Sequence, residues 1–232
     1  MRLVFHGHAC IEVQLNNGTV LLVDPWIVGN PQSDIDLNFQ CDAILVTHGH
    51  QHHSGDMITL SQRNHAPIIG MGELVYYAEQ HGAPAGHAMD LGGQWQFDFG
   101  TIKTTHAQHS SSLIVDGQPI YMGEACGFLI MADHQIIYIA GDTSNYGDMT
   151  LFGKAYDIDV AVLPIGDNYT MGPKAAASAA QRVQARFVIP VHYNTFPDIQ
   201  QDPRAFATLL PAGMVKVLNP GDQFDLPNQS PQ

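Results

Sequence analysis

Two kinds of apolar patterning run through the chain. Residues 2–15 alternate like a half-buried strand, and residues 20–26 read as a second strand. Asn16-Asn17-Gly18 between them suits the positive φ angles of a tight hairpin. Residues 42–47 form a short, β-branched, apolar run, expected as a buried strand, and after a histidine-rich loop residues 56–64 are expected to be helical up to Pro67. A buried strand at 67–71, a helix at 73–80 closed by Gly82, and two alternating strands within 94–107 turning at Gly100 follow.

The second half repeats this mixture. Residues 127–131 and 135–140 read as a hairpin around Asp133-His134, and buried strands at 160–164 and 187–191 flank a helix at 173–185. A helix at 203–210, a last strand at 215–218 and a flexible polar tail at 227–232 complete the pattern. Two halves that each combine hairpins with βα units predict an α/β (α+β) protein, a four-layer αββα sandwich forming one domain over residues 1–226.

Composition narrows the function. Nine Lys+Arg against 22 Asp+Glu give a net charge of -13, which repels a phosphodiester backbone, so no nucleic-acid partner is expected. No apolar run approaches the ~20 residues of a membrane span, and the first residues alternate like a strand instead of forming a signal-peptide block. The expected compartment is the cytoplasm, without membrane association. Cys10, Cys41 and Cys126 are odd in number and widely spaced, so neither a disulfide framework nor a thiolate zinc site is indicated.

The 13 histidines are the anomaly, and they cluster. His48, His50, His52 and His53 fall within six positions directly after an apolar strand, where a loop can aim imidazoles at one point. His109, Asp142 and His192 each stand where a later strand meets a loop. One such residue alone is more often a satisfied polar group at a strand end; the recurrence points to metal.

These phrases resemble the metallo-β-lactamase superfamily, whose HxHxDH loop, later histidine, bridging aspartate and final histidine build a two-metal site in an αββα sandwich. More narrowly, "FHGHACIEV", "LLVDPWIVGNP", "THGHQHHSGD", "HSSS", "YMGEACGFLI", "GDTSNYGDM", "PIGDNYTMGP" and "PVHYNTFPDI" resemble the small metal-dependent hydrolase branch related to ascorbate-6-phosphate lactonase. The resemblance implies that His48, His50 and His109 hold a first metal, that His53 and His192 hold a second, and that Asp142 bridges them. At the position of the family aspartate this chain has His52, a neutral, longer and rigid ligand, so the second site should be altered. Asp142 and His52 are the candidate catalytic positions. Asp24 matches the aspartate that holds a ligand histidine through its distal nitrogen, or else caps a strand end. The alternating first strand puts His6 and His8 on one face, where they would approach the metals or support them from beneath. Asn168, Tyr193 and Asn194 could polarise a carbonyl or build loops.

The expected cofactor is one or two divalent ions, zinc first and manganese or iron second, because nitrogen-rich coordination disfavours calcium and magnesium. The activity implied is metal-assisted hydrolysis, a metal-activated water attacking a small ester, lactone, amide or phosphoester. None of the nine Lys and Arg lies inside the histidine, GDT or PVHYN phrases, which weighs against a heavily phosphorylated substrate. The serines of "HSSS" lack the GxSxG turn of a serine hydrolase. Two alternatives remain: a non-catalytic metal-binding or ligand-sensing protein altered at His52, and a phosphodiesterase or nuclease of the same superfamily. The partner expected is a small-molecule substrate; a homo-oligomer is compatible with the sequence.

Overall fold

The computed structural model describes residues 1–227 of the 232, so most of the expected tail, 228–232, lies outside the described residues. The chain opens with β1 (Arg2–Phe5), β2 (Ile11–Gln14), β3 (Val20–Val23) and β4 (Ala43–Leu45), followed by α1 (Gln51–Ser54), α2 (Met57–Asn64), β5 (Ile68–Met71), α3 (Gly72–Gln80) and β6 (His87–Met89). Then come β7 (Gln94–Phe97), β8 (Gly100–His106), β9 (Ser112–Val115), β10 (Gln118–Tyr121), β11 (Cys126–Ala132) and β12 (Gln135–Ile139). The last part holds α4 (Met149–Ala155), β13 (Val160–Pro164), α5 (Pro173–Arg182), β14 (Phe187–Val191), α6 (Pro203–Ala207) and β15 (Gln223–Asp225).

Two mixed sheets carry the structure. The first has the order β15-β1-β2-β3-β4-β5-β6, antiparallel from β15 to β3 and parallel from β3 to β6. The second has the order β14-β13-β12-β11-β8-β7, parallel from β14 to β12 and antiparallel beyond. β9 and β10 form a separate hairpin.

The period of two sorts side chains into layers. Leu21, Val23, Leu45 and Ile69 of the first sheet meet Ile137, Ile139, Val160, Val162 and Ile189 of the second in a central core. Their neighbours point the other way: Leu22, Ile44 and Ile68 pack on Met57, Leu60, Leu74 and Val75 of α2 and α3. Tyr138, Ala161, Leu163 and Val188 pack on Met149, Ala176, Ala180 and Phe206 of α4, α5 and α6. Strands buried on both faces need helices on their outer side, and the αββα sandwich is the result. Each fully buried aliphatic side chain contributes about 1.5–3 kcal/mol toward holding the layers together.

Three sequence expectations are corrected. Residues 2–15 are not one strand: a turn at 6–10, with positive φ at Gly7 and His8, splits them into β1 and β2. His52 and His53 lie on α1, a single helical turn, and not in a loop. The expected strand at 215–218 makes only one bridge, Val215 to Val188, while the last strand is β15, which pairs with β1 across almost the whole chain length.

Candidate metal centre

The parallel strands aim the site. Asp24 follows β3, His48 follows β4, Asp142 follows β12 and His192 follows β14, so ends of both sheets converge on one point, the usual place for ligands in open α/β sheets. Gly49 is needed between His48 and His50, because a Cβ there would stand 2.6 Å from Met122 Cβ; the Gly49 amide instead donates to Ser111 Oγ at 3.1 Å. His50, extended at φ -61° and ψ 140°, caps the start of α1, and the turn that follows brings His53 back toward the strand ends.

Asp142 is the centre. It is buried, and its Oδ2 lies 3.0 Å from His192 Nε2, 3.2 Å from His53 Nε2, 3.7 Å from His109 Nε2 and 3.8 Å from His48 Nε2. His48 Nε2 is 3.0 Å from His50 Nδ1, which is 3.3 Å from His109 Nε2. The ligand nitrogens of His48, His50 and His109 lie within 4.8 Å of one another, as do those of His8, His52, His53 and His192, and the donor atoms of His48, His53 and Asp142 form a third such group.

Burial opposes ionisation of Asp142, but His192 and His53 hold its carboxyl well below the usual range. Burial likewise opposes protonation of His53, yet Asp142 and then Asp24 raise it to about 10. Burial, reinforced by His53, pushes His52 down to about 2, and burial with His109 pushes His50 down to about 4. Burial lowers His48 strongly and is also the first cause of the lowering at His109.

Asp24 is an orienting group. It is buried at φ 49°, Oδ1 accepts from the Thr47 amide at 2.8 Å, and Oδ2 accepts from the Thr47 hydroxyl at 2.7 Å and from His53 Nδ1 at 2.8 Å. A carboxylate can only accept, so Nδ1 carries a proton in either charge state of the ring, and Nε2, which faces Asp142, is the nitrogen left for a metal.

His6 and His8 part company. His6 sits between Asp34 (Nδ1, 2.8 Å) and Glu12 (Nε2, 3.0 Å), with both ring nitrogens engaged. His8 turns into the cluster. Asn168 is exposed and no hydrogen bond ties it to the site; Tyr193 packs in the core between the second sheet and its helices, where burial raises its hydroxyl to about 12. Asn194 is exposed at φ 61° and accepts from the Gln201 amide at 2.8 Å, which is loop-building. The carbonyl-polarising role considered for these three has no geometric support: Tyr193 is in the core, the Asn194 side-chain carbonyl is spent on Gln201, and Asn168 is exposed.

Other groups escaped the sequence reading. Trp26 and Phe196 stack at 5.5 Å and 22°, and each rings His8 and His52 at centroid distances of 5.0–6.2 Å. Asp56 fixes the Trp26 loop by accepting from the amides of Ile27 (2.6 Å) and Val28 (2.9 Å). Only the placement of Trp26 in "DPW", two residues after Asp24, hinted at this wall. A surface cavity lined by Asp167, Gly172, Lys174 and Phe206 shares no residue with the cluster.

The donor set fits a metal. His8 Nε2, His53 Nε2, His192 Nε2 and Asp142 Oδ2 are buried and, among the described residues, have no hydrogen-bond partner outside the cluster. Buried polar atoms are nearly always paired, so four such atoms turned toward one another in one site fit a bound cation.

A family profile described as a beta-lactamase superfamily domain matches residues 2–192. The chain belongs to the beta-lactamase superfamily, among its metal-dependent hydrolases. A UPF0173 metal-dependent hydrolase from Enterococcus faecalis is 51% identical over 96% of this chain and 98% of its own length. Another from Geobacillus thermodenitrificans is 44% identical, covering 97% of this chain and 100% of the relative. The solved structure of Igni18, a metallo hydrolase from the archaeon Ignicoccus hospitalis, superposes with a TM-score of 0.85 at 33% identity, covering 97% of this chain and 98% of that one. The metallo-β-lactamase fold expected from the sequence is therefore the fold of this hydrolase, and no helix among its described residues is long and apolar enough to cross a membrane.

Proposed function

We propose that this hydrolase holds two divalent ions, zinc by first choice and manganese or iron otherwise, and cleaves a small uncharged ester, lactone or amide. The observation that carries the reading is the single oxygen of Asp142 lying 3.0–3.8 Å from four imidazole nitrogens. His48, His50 and His109 would hold one ion, His53, His192 and His52 the other, with Asp142 shared. When bound, the ions supply Lewis acidity and bring the pKa of water toward ~7.

The chain's own groups do the rest. Asp24 keeps the proton of His53 on Nδ1 and so keeps Nε2 free as a donor. His52 is neutral at physiological pH and offers a nitrogen where a carboxylate would stand. Trp26 and Phe196 give the His52 side of the site an apolar wall, which suits an acyl or ring substituent and excludes water from it. No Lys or Arg belongs to the cluster, so a phosphoester is the weaker substrate class within this reading and a nuclease the weakest.

The test is metal analysis followed by stripping, reloading with zinc, manganese or iron(II), and assay on panels of aryl esters, lactones, amides, phosphomonoesters and phosphodiesters. Carbonyl substrates should turn over, and chelation should abolish the turnover. The replacement of the family aspartate by His52 favours one rival: bound metal with no turnover on any panel would make the protein a metal-dependent sensor.

A further inference from the structure

We propose that His8, in the turn between β1 and β2, is itself a ligand of the second ion, which is then held by four imidazoles, those of His8, His52, His53 and His192, with Asp142 shared. The proposal rests on the two-metal reading above and adds a donor from a part of the chain outside every histidine phrase of the central loop.

The turn is built to present this ring. His8 is fully buried at φ 56°, a conformation that non-glycine residues seldom adopt and that is retained mainly where the surroundings demand it. Gly7 precedes it at φ 90°, where a Cβ would lie 2.8 Å from the Gln32 carbonyl oxygen, so the chain passes too close to Gln32 for any side chain. The His8 carbonyl accepts from the His192 amide at 2.6 Å, which ties the turn directly to the end of β14 and to another candidate ligand.

The ring itself has the form of a metal-binding histidine. Nδ1 lies 2.6 Å from Thr195 Oγ1, which fixes the ring's orientation. Nε2 is buried without a hydrogen-bond partner among the described residues. The ring centroid stands 4.3 Å from that of His192 and 5.1 Å from that of His52. The four ligand nitrogens fall within 4.8 Å of one another, near the roughly 4.2 Å that separates opposite nitrogens bound to one ion at ~2.1 Å. His6, two residues earlier, shows what a supporting histidine looks like in this turn: both of its nitrogens are spent on carboxylates.

The consequence is a choice of ion. With His52 in place of a carboxylate, the second site gains no charge from its own residues beyond Asp142, and a fourth imidazole makes up donor number instead. Such a nitrogen-rich site takes zinc, nickel, cobalt or iron(II) in preference to manganese, magnesium or calcium.

The experiment is a titration of the metal-stripped full chain with cobalt(II) and zinc against a competing chelator, with X-ray absorption counting imidazoles per ion. Wild type is compared with His8→Asn, which tolerates positive φ, and with Thr195→Val, which leaves His8 in place and removes its anchor. Two ions should bind the wild type. His8→Asn should keep the first and weaken the second at least tenfold, with fewer imidazoles per ion and a changed cobalt visible spectrum, and Thr195→Val should shift the second site in the same direction by less. Unchanged second-site affinity and spectrum in His8→Asn would overturn the role of His8 while leaving two metals in place, as would an equal loss at both sites, which would mean a structural role. A wild type that binds a single ion or none would overturn the two-metal reading and this proposal with it.

Discussion

Replacing Asp24 by asparagine tests whether the site depends on the tautomer of His53. Asparagine has the same shape and accepts positive φ, so the backbone at φ 49° is retained. Its single carbonyl oxygen cannot serve the Thr47 amide and the pair formed by the Thr47 hydroxyl and His53 Nδ1 at once. With the oxygen toward Thr47 N–H, the amide nitrogen faces His53 and drives the proton of His53 to Nε2, where it blocks ligation. With the oxygen toward His53, a buried Thr47 N–H is left facing a donor. Either outcome removes a buried hydrogen bond to a charged group, about 1.5–3 kcal/mol. At 1.36 kcal/mol per decade that is roughly a 10- to 150-fold loss of metal affinity at the His53 site. Chelator competition on the stripped protein measures it, and urea unfolding of the metal-free protein measures the structural share separately. A variant that binds metal within twofold of wild type while losing stability would refute the reasoning and reduce Asp24 to a strand-end cap.

Restoring a carboxylate, His52→Asp, should raise second-site affinity by roughly tenfold, since an anionic donor recovers Coulomb attraction; equal or weaker binding in the same titration would mean that the loops have adapted to imidazole. Trp26→Ala should raise KM for substrates with aromatic or bulky acyl groups several-fold without changing metal content, and an unaltered KM across such a series would remove the aromatic wall from substrate binding. Phe128→Ala empties a fully buried position between the two sheets and should cost about 3–5 kcal/mol in urea unfolding, with metal affinity of the folded protein unchanged.

Much of this was legible in order along the chain. Unbroken apolar runs at 160–164 and 187–191 predicted β13 and β14 to the residue, because strands covered on both faces are apolar throughout and bounded by turn residues. The hairpin at Asp133-His134 was equally clear, and both residues have the positive φ its turn requires. Histidines and an aspartate at strand ends announced a metal site, since few other functions gather that many imidazoles. Short pairings made only through distant partners were not legible: β15 has three residues and no pattern, and exists because β1 offers it an edge.

Local chemistry in the sequence therefore determined the residue types of the site, the period that layers the sheets, and the departure from the family pattern at His52. Only the tertiary structure decided which histidines share a centre. Periodicity put His6 and His8 on one face; a turn too tight for a strand separated them, giving His6 to two carboxylates and His8 to the cluster. The same holds for Trp26 with Phe196 and for Asp24 with His53, pairs far apart in the chain. Their meeting depends on the strand order and on the ends of two sheets facing each other, a property of packing that no local window of residues contains.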